Sequence, residues 1–365
     1  MFACIALSLP LWQTRLSYPG VPLFDFIPPF PSPLDLLFLA LFGVALVALG
    51  WRPRSRALAV FWFSAAAFLV VQDQSRLQPW FIANALLLAA IVFSSAEDEA
   101  LSLCRLILVA IYFWSGVHKM NLSFVDALFP SLISSFGAPR LAVPLHYLGV
   151  VIPYLEMGLA LALLFPRTRR AGVVAIVGLH VSLLAVLGLA LGWNSVVWPW
   201  NLSLMILVPC LFWKSADSAS AILTPKGAWV RKALFAFVIV LPPLSFAELS
   251  DTGLSFDLYS GNPLIGSVVV SPDALQRLDA SPRSVAEQFG EGYIIRFGDW
   301  SLATTNVPAY PAERVLQRIA ESFCAVHKQD NDVVFVVEKP ARWLYRPGWH
   351  RIERSQELCS NASTR

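Results

Sequence analysis

Eight long apolar runs limit what this chain can fold into more than any other feature. They cover residues 34–50, 57–71, 79–95, 101–117, 143–165, 171–192, 196–213 and 229–249. Runs of this length match the ~17–25 residues a helix needs to cross hydrocarbon. Composition agrees, because 57% of the 365 residues are hydrophobic and 14% charged, whereas a soluble domain carries about 25% charged residues. The expected fold class is therefore an all-α polytopic membrane bundle of about eight transmembrane helices, with the lipid bilayer as its principal partner. The net charge of +3 gives no reason to expect nucleic acid.

From about Ser250 the chain changes character. Fourteen acidic and twelve basic residues fall in the last 116 positions, with short apolar stretches between them. Residues 267–270, 293–297 and 333–338 read as strands. Residues 311–326 carry helical spacing, with Val315, Ile319, Phe323 and Val326 on one face. The expected organisation is an N-terminal extracytoplasmic segment (1–33), a transmembrane domain (34–249), a small soluble α+β domain (250–354) and a disordered tail (355–365). The N-terminus lacks a basic n-region and does not read as a cleaved signal peptide.

Orientation follows from Lys and Arg, which are retained on the cytoplasmic side. Arg52, Arg54, Arg56, Arg105, Arg167, Arg169, Arg170, Lys214, Lys226, Arg231 and Lys232 fall on one side of the alternating spans. Arg15, Arg76, Lys119 and Arg140 fall on the other. A bacterial inner (plasma) membrane location is expected, with both termini and the C-terminal domain extracytoplasmic.

Three polar segments then share the outer side. The first is DQSRLQPW (73–80), in which Asp73 and Arg76 read either as a solvated surface pair or as part of a site. The second is YFWSGVHKMN (112–121). Its Lys119 is either an interfacial snorkelling lysine or a partly desolvated amine beside His118, fit to act as a base or nucleophile. The third is WNSVVWPWN (193–201), with Trp198 at the interface and Asn201 placed to hydrogen-bond a neighbouring helix. Glu156 and His180 lie deep in spans, where an ionised side chain costs ~2.5–3.5 kcal/mol or more. They read as a mutual packing contact, or as a proton relay or a headgroup- or quinone-recognition site. The spacing of His118, His180 and Glu156 is not that of a metal site. None of the five cysteines forms a C-x-x-C pair, so no dithiol redox motif is present.

The stretches DQSRLQPW, YFWSGVHKMNLSFV, PYLE (153–156), VVWPWN and LSFDLYSGN (254–262) together resemble a family of uncharacterised bacterial multi-pass membrane proteins. More distantly, they resemble the HTTM group, which includes the vitamin K-dependent gamma-carboxylases. That resemblance implies that Lys119, in GVHKMN, is a catalytic base; His118 stands where the carboxylases have a second lysine. A weaker similarity is to DoxX/MauE-type membrane proteins. The functional expectation is an enzyme at the outer membrane face, acting on a peptide or lipid-soluble, quinone-like substrate or cofactor. Lys119, His118, Asp73 and Arg76 would be its catalytic residues, and Glu156, His180, Asn201 and Trp198 its substrate contacts. The alternative expectation is a non-enzymatic membrane accessory or assembly protein, and the third is a transporter.

Overall fold

The computed structural model describes residues 1–15, 17–28, 30–135, 140, 144–224, 229–327, 333–339 and the backbone of 351–355. Each apolar run forms a helix: α1 Leu34–Trp51, α2 Arg56–Gln72, α3 Pro79–Phe93, α4 Glu97–His118, α5 His146–Leu164, α6 Arg169–Ala190, α7 Val197–Phe212 and α8 Trp229–Ala247. Five of these, α1, α4, α5, α6 and α8, are long and apolar enough to cross a membrane. The other three are apolar but shorter, at 17, 15 and 16 residues. The sequence reading of eight full spans is thus met by length in five. Proline accounts for one boundary, since Pro79 fixes the first turn of α3 immediately after a buried polar turn.

Helix α4 is the axis of the bundle. Of its apolar window 72% is buried, against 22–33% in α1, α5, α6 and α8. Its first turn carries Glu97, Asp98 and Glu99 and its last turn His118, the arrangement that complements the helix dipole. The surrounding helices turn large apolar side chains outward, among them Leu37, Val44, Leu155, Val174, Leu189 and Ile206. A continuous apolar exterior of this kind needs lipid as its solvent. Helix α5 lies so close to α4 that a Cβ at Gly116 would stand 2.7 Å from the Pro153 carbonyl oxygen and 2.8 Å from Met157 Cγ. Small residues at such crossings are what allow backbones to approach within a membrane.

The two ends of the bundle differ. At one end Arg105 donates to the Leu211 carbonyl and pairs with Asp217 at 2.6 Å. Arg169 holds the carbonyls of Leu163, Leu164, Ser215 and Asp217, Arg231 holds those of Ala221 and Thr224, and Arg54 meets Glu97. The basic connections therefore gather at a single end, as the alternation of spans requires. Three of their arginines are buried ties between loops rather than solvated loop charges.

At the opposite end sits the C-terminal domain. A five-stranded antiparallel sheet has the order β2-β3-β1-β4-β5, with β1 Ile265–Val270, β2 Glu287–Phe289, β3 Gly292–Arg296, β4 Val333–Lys339 and β5 Arg351–Ser355. The β2–β3 hairpin turns through Gly290 at φ 59°, a conformation that glycine adopts without steric cost. Two helices, α9 Phe297–Thr305 and α10 Glu313–His327, cover the sheet with Phe297, Trp300, Val315, Ile319 and Phe323 buried against Val268, Ile295 and Phe335. The α10 face ends sooner than its spacing suggested, because Val326 is exposed. Residues 293–297 are strand only to Arg296, since Phe297 opens α9. Strands β2 and β5 had no signature in the sequence, and most of the expected tail lies outside the described residues.

The N-terminal segment binds both halves together. Cys4, Leu11 and Trp12 belong to the bundle core, while Tyr18 and Val21 belong to the core of the domain. Trp300 Nε1 donates to the Ser17 carbonyl, and Arg314 pairs with Asp251 and donates to Gln74. Adding a methyl group at the α4–α5 crossing tests the bundle axis. Gly116→Ala should cost about 1–3 kcal/mol through overpacking and lower the melting temperature in detergent by scanning fluorimetry. Gly158→Ala, which meets nothing within 4 Å, should leave it unchanged.

Candidate functional site

Helix periodicity places Tyr112 and Ser115 along one stripe of α4, continued by Lys119 at its C-cap, and this stripe meets α5 and α6 inside the bundle. Lys119 Nζ lies 2.8 Å from Glu156 Oε2, 2.7 Å from Ser115 Oγ and 3.2 Å from the Ser115 carbonyl oxygen. The Ser115 hydroxyl in turn donates to the same Glu156 oxygen at 3.0 Å. An ammonium has three donors and no acceptor, and here each donor has an acceptor. All of these acceptors come from α4 and α5, so the amino group is enclosed by the bundle's own side chains and backbone.

Deeper in the bundle, Tyr112 Oη is 2.7 Å from His180 Nε2, and His180 Nδ1 is 2.8 Å from Asn201 Oδ1. Asn201 closes the chain by donating to the Val197 carbonyl. The direct Glu156–His180 contact read from the sequence is replaced by these two arrangements: Glu156 joins Lys119, and His180 joins Tyr112 and Asn201. The physical reason is position along α4: Ser115 meets Glu156 of α5, and Tyr112, about one turn earlier, meets His180 of α6. Trp198 stays apart, packing over Gly188 and donating its indole N–H to the Trp193 carbonyl.

His118 faces the other way, toward the C-terminal half of the chain. Its ring stacks on Phe246 at 4.7 Å and lies 3.9 Å from Asp257. Asn121 and Asn262 both donate to its carbonyl oxygen, and Asn121 also donates to that of Ser260. The segment supplying Asp257, Ser260 and Asn262 is tightly folded. Phe256, Tyr259 and Gly261 all have positive φ, and a Cβ at Gly261 would stand 2.9 Å from Ser123. Aromatic residues in that conformation carry a backbone cost of order 1–3 kcal/mol. At Tyr259 a part-buried hydrogen bond helps to offset it, the Asn194 side-chain N–H donating to the Tyr259 hydroxyl. Asp257, Ser260, Asn262, Tyr112 and Ser115 were missed as site residues. Tyr112 and Ser115 had a signal in their spacing from Lys119, whereas Asp257, Ser260 and Asn262 stood out only as part of LSFDLYSGN, with nothing to pair them with His118 about 140 positions earlier in sequence.

Asp73 and Arg76 form a different cluster. Asp73 pairs with Arg15 at 2.6 Å and accepts from the backbone N–H groups of Val21 and Ser75. Arg76 donates to the carbonyls of Leu11 and Leu69. The surface pair of Asp73 with Arg76 read from the sequence is thus a buried set completed by Arg15, because the N-terminal segment folds over the turn. Neither residue hydrogen-bonds Lys119. Burial acts to raise the Asp73 carboxyl, but Arg15, Arg76 and the two backbone N–H groups outweigh it and hold it below the usual carboxylate range. Burial pushes Arg76 down to about 10, against the opposing effect of Asp73, so it remains a cation at neutral pH. Among the described residues no three His, Cys, Asp or Glu side chains gather as a metal set.

The family model for methylamine utilisation protein MauE matches residues 97–197, from the start of α4 to the first residue of α7. No curated protein and no solved structure matches the chain. The chain is therefore a multi-pass membrane protein whose central helices are similar to MauE. Of the resemblances read from the sequence, the DoxX/MauE one gains support and the carboxylase-like one gains none.

Two outcomes are expected. Lys119→Met and Glu156→Gln should each destabilise by about 3–5 kcal/mol, because each leaves a buried charge without its partner. The double variant Lys119→Met/Glu156→Leu should recover most of that loss in detergent melts. For Asp73, a lowered folded-state pKa means that its stabilisation is present above the unfolded value near ~3.9 and is lost as pH falls through the lowered one. Asp73→Asn should therefore melt lower at neutral pH and show a shallower acid limb than the wild type.

Proposed function

We propose that this chain is a non-catalytic membrane accessory protein, which holds its C-terminal domain against the bilayer for a partner protein. The observation that carries this reading is that the MauE-like segment contains Tyr112, Ser115, Lys119, Glu156 and His180, and that these side chains satisfy one another. A catalytic site keeps donors or lone pairs pointed at a reacting atom, whereas a packing device closes on itself. The family's name ties it to methylamine utilisation; for this chain the match supports a membrane accessory protein, and our reading places its work outside the cytoplasm.

In this reading all eight apolar helices cross the plasma membrane of a bacterium, and both termini lie outside the cytoplasm. The gathered arginines mark the inner end. Cys324, on α10, is disulfide-bonded, which suits a domain in an oxidising compartment. The lysine-base enzyme reading lacks an unoccupied Lys119 donor or lone pair. A transporter would need a wetted path, yet α4 presents only buried apolar side chains from Leu106 to Ile111, about 9 Å of helix at ~1.5 Å per residue.

Complementation decides the role. A host deletion strain carrying the folded double variant Lys119→Met/Glu156→Leu should recover its extracytoplasmic proteome to wild-type levels by quantitative proteomics. A folded double variant that restores nothing would return the pair to catalysis. Topology has its own check: Glu287→Cys on the exposed β2 strand should react with a membrane-impermeant maleimide in intact spheroplasts, and Arg52→Cys should react only after lysis.

A further inference from the structure

A cavity of about 350 Å³ lies between the N-terminal segment, the end of α2 and the C-terminal domain. It shares no residue with the MauE-like segment, and the inference drawn from it is independent of the accessory role. One part of its wall is apolar and adjoins the lipid-facing exterior: Phe30 and Phe68 stack edge-on with each other and with Phe38 of α1, and Phe68 and Leu37 are themselves exposed. The rest of the wall is charged. Arg15, Asp35, Asp73 and Arg76 line it from the bundle side, all of them buried, and the exposed Asp279 lines it from the domain side.

Charge and hydrogen-bond accounting restricts what fits. Arg15 and Asp73 neutralise each other as a 2.6 Å ion pair. That leaves Arg76, Asp35 and Asp279, one cation against two carboxylates. Arg76 is only 6% exposed, and its Nε and Nη1 are taken by the Leu11 and Leu69 carbonyls. Among the described residues no hydrogen bond engages its Nη2. A buried guanidinium donor left over in a cavity is a site for an anionic oxygen, while the excess of carboxylate opposes a ligand that is anionic overall. A ligand carrying both charges meets both conditions. The volume is at the small end of ligand pockets, enough for a headgroup but not for acyl chains, and the aromatic wall gives such chains a way out to lipid.

We propose that this cavity binds the headgroup of a zwitterionic, amine-bearing phospholipid. The phosphate sits on Arg76, the ammonium sits toward Asp279 and Asp35, and the acyl chains leave past Phe30 and Phe68. The bound lipid would tie the N-terminal segment and the domain to the membrane surface.

Native mass spectrometry of the full chain in detergent tests this, with phosphatidylethanolamine, phosphatidylglycerol and soluble glycerophosphoethanolamine as probes. The wild type should bind phosphatidylethanolamine about tenfold more tightly than phosphatidylglycerol, the size of one charge-assisted hydrogen bond. The soluble headgroup should compete poorly. Asp279→Asn, a change at an exposed position, should fold normally and abolish the preference for the amine-bearing lipid. Arg76→Gln should weaken both lipids. Equal binding of the two lipids by the wild type would overturn the proposal, as would a preference unchanged in Asp279→Asn. Competition by glycerophosphoethanolamine as effective as by the lipid would overturn the assignment of a membrane source.

Discussion

Lys119 and Glu156 meet inside a bundle whose exterior is apolar, and neither has water to fall back on if the other moves. A carboxylate or ammonium removed from water costs several kcal/mol, which is recovered only when geometry and additional hydrogen bonds are good. The Ser115 hydroxyl supplies that addition by accepting from the lysine and donating to the carboxylate. Because Ser115 belongs to α4, Lys119 caps its C-terminal end and Glu156 belongs to α5, the triangle fixes the rotation of one helix against the other. Gly116 beside it lets the two backbones close to contact. The Tyr112–His180–Asn201 chain then sets α6 and α7 against the same face of α4. Four helices are in this way registered by polar bonds that hydrophobic packing alone would not specify, since lipid tails are as apolar as the helix surfaces they compete with.

The ends of the bundle are closed by opposite means. At one end long arginine side chains reach loop carbonyls and Asp217, satisfying backbone groups that the helix termini leave open. At the other, the task falls to protein: the loop from Phe256 to Asn262 folds over the end of α4, and the N-terminal segment threads between bundle and domain. A tightly turned segment suits that position because its amides and carboxylates must converge on His118 and Asn121 from a short length of chain. Arg15, Asp73 and Arg76 do the corresponding work under the N-terminal segment, where the two arginines and two backbone N–H groups hold Asp73 ionised against the effect of burial. Together these contacts make the domain and the bundle one interlocked structure.

Apolar run length and periodicity carried most of the helical architecture, because every run of 15 or more apolar residues became a helix near its expected bounds. The strands β1, β3 and β4 showed in short β-branched stretches such as Val268–Val270, whereas β2, only three residues long, had no pattern to show. The site was legible in part. Lys119, His118, Glu156, His180 and Asn201 stood out because ionisable and amide groups are rare in hydrocarbon, and that rarity is a property of single positions. Which partner each one finds depends on helix rotation, and so the sequence suggested Glu156 with His180 where the structure has Glu156 with Lys119. Asp73 and Arg76 looked exposed because nothing local reveals that Arg15, nearly 60 residues earlier, folds over them.

What the chain's own order of residues determined, then, is its solvent: a set of apolar helices, five of them long enough to span, needs lipid, and a charged C-terminal third needs water. It also fixed which polar side chains must find partners, because an unsatisfied group in hydrocarbon is too costly to keep. Tertiary structure alone decided the pairing. Hydrogen bonds and ion pairs act over a few ångströms, and only the packing of helices brings Ser115 between Lys119 and Glu156, Asp257 beside His118, and Arg76 to the wall of a cavity closed by a domain some two hundred residues away in sequence.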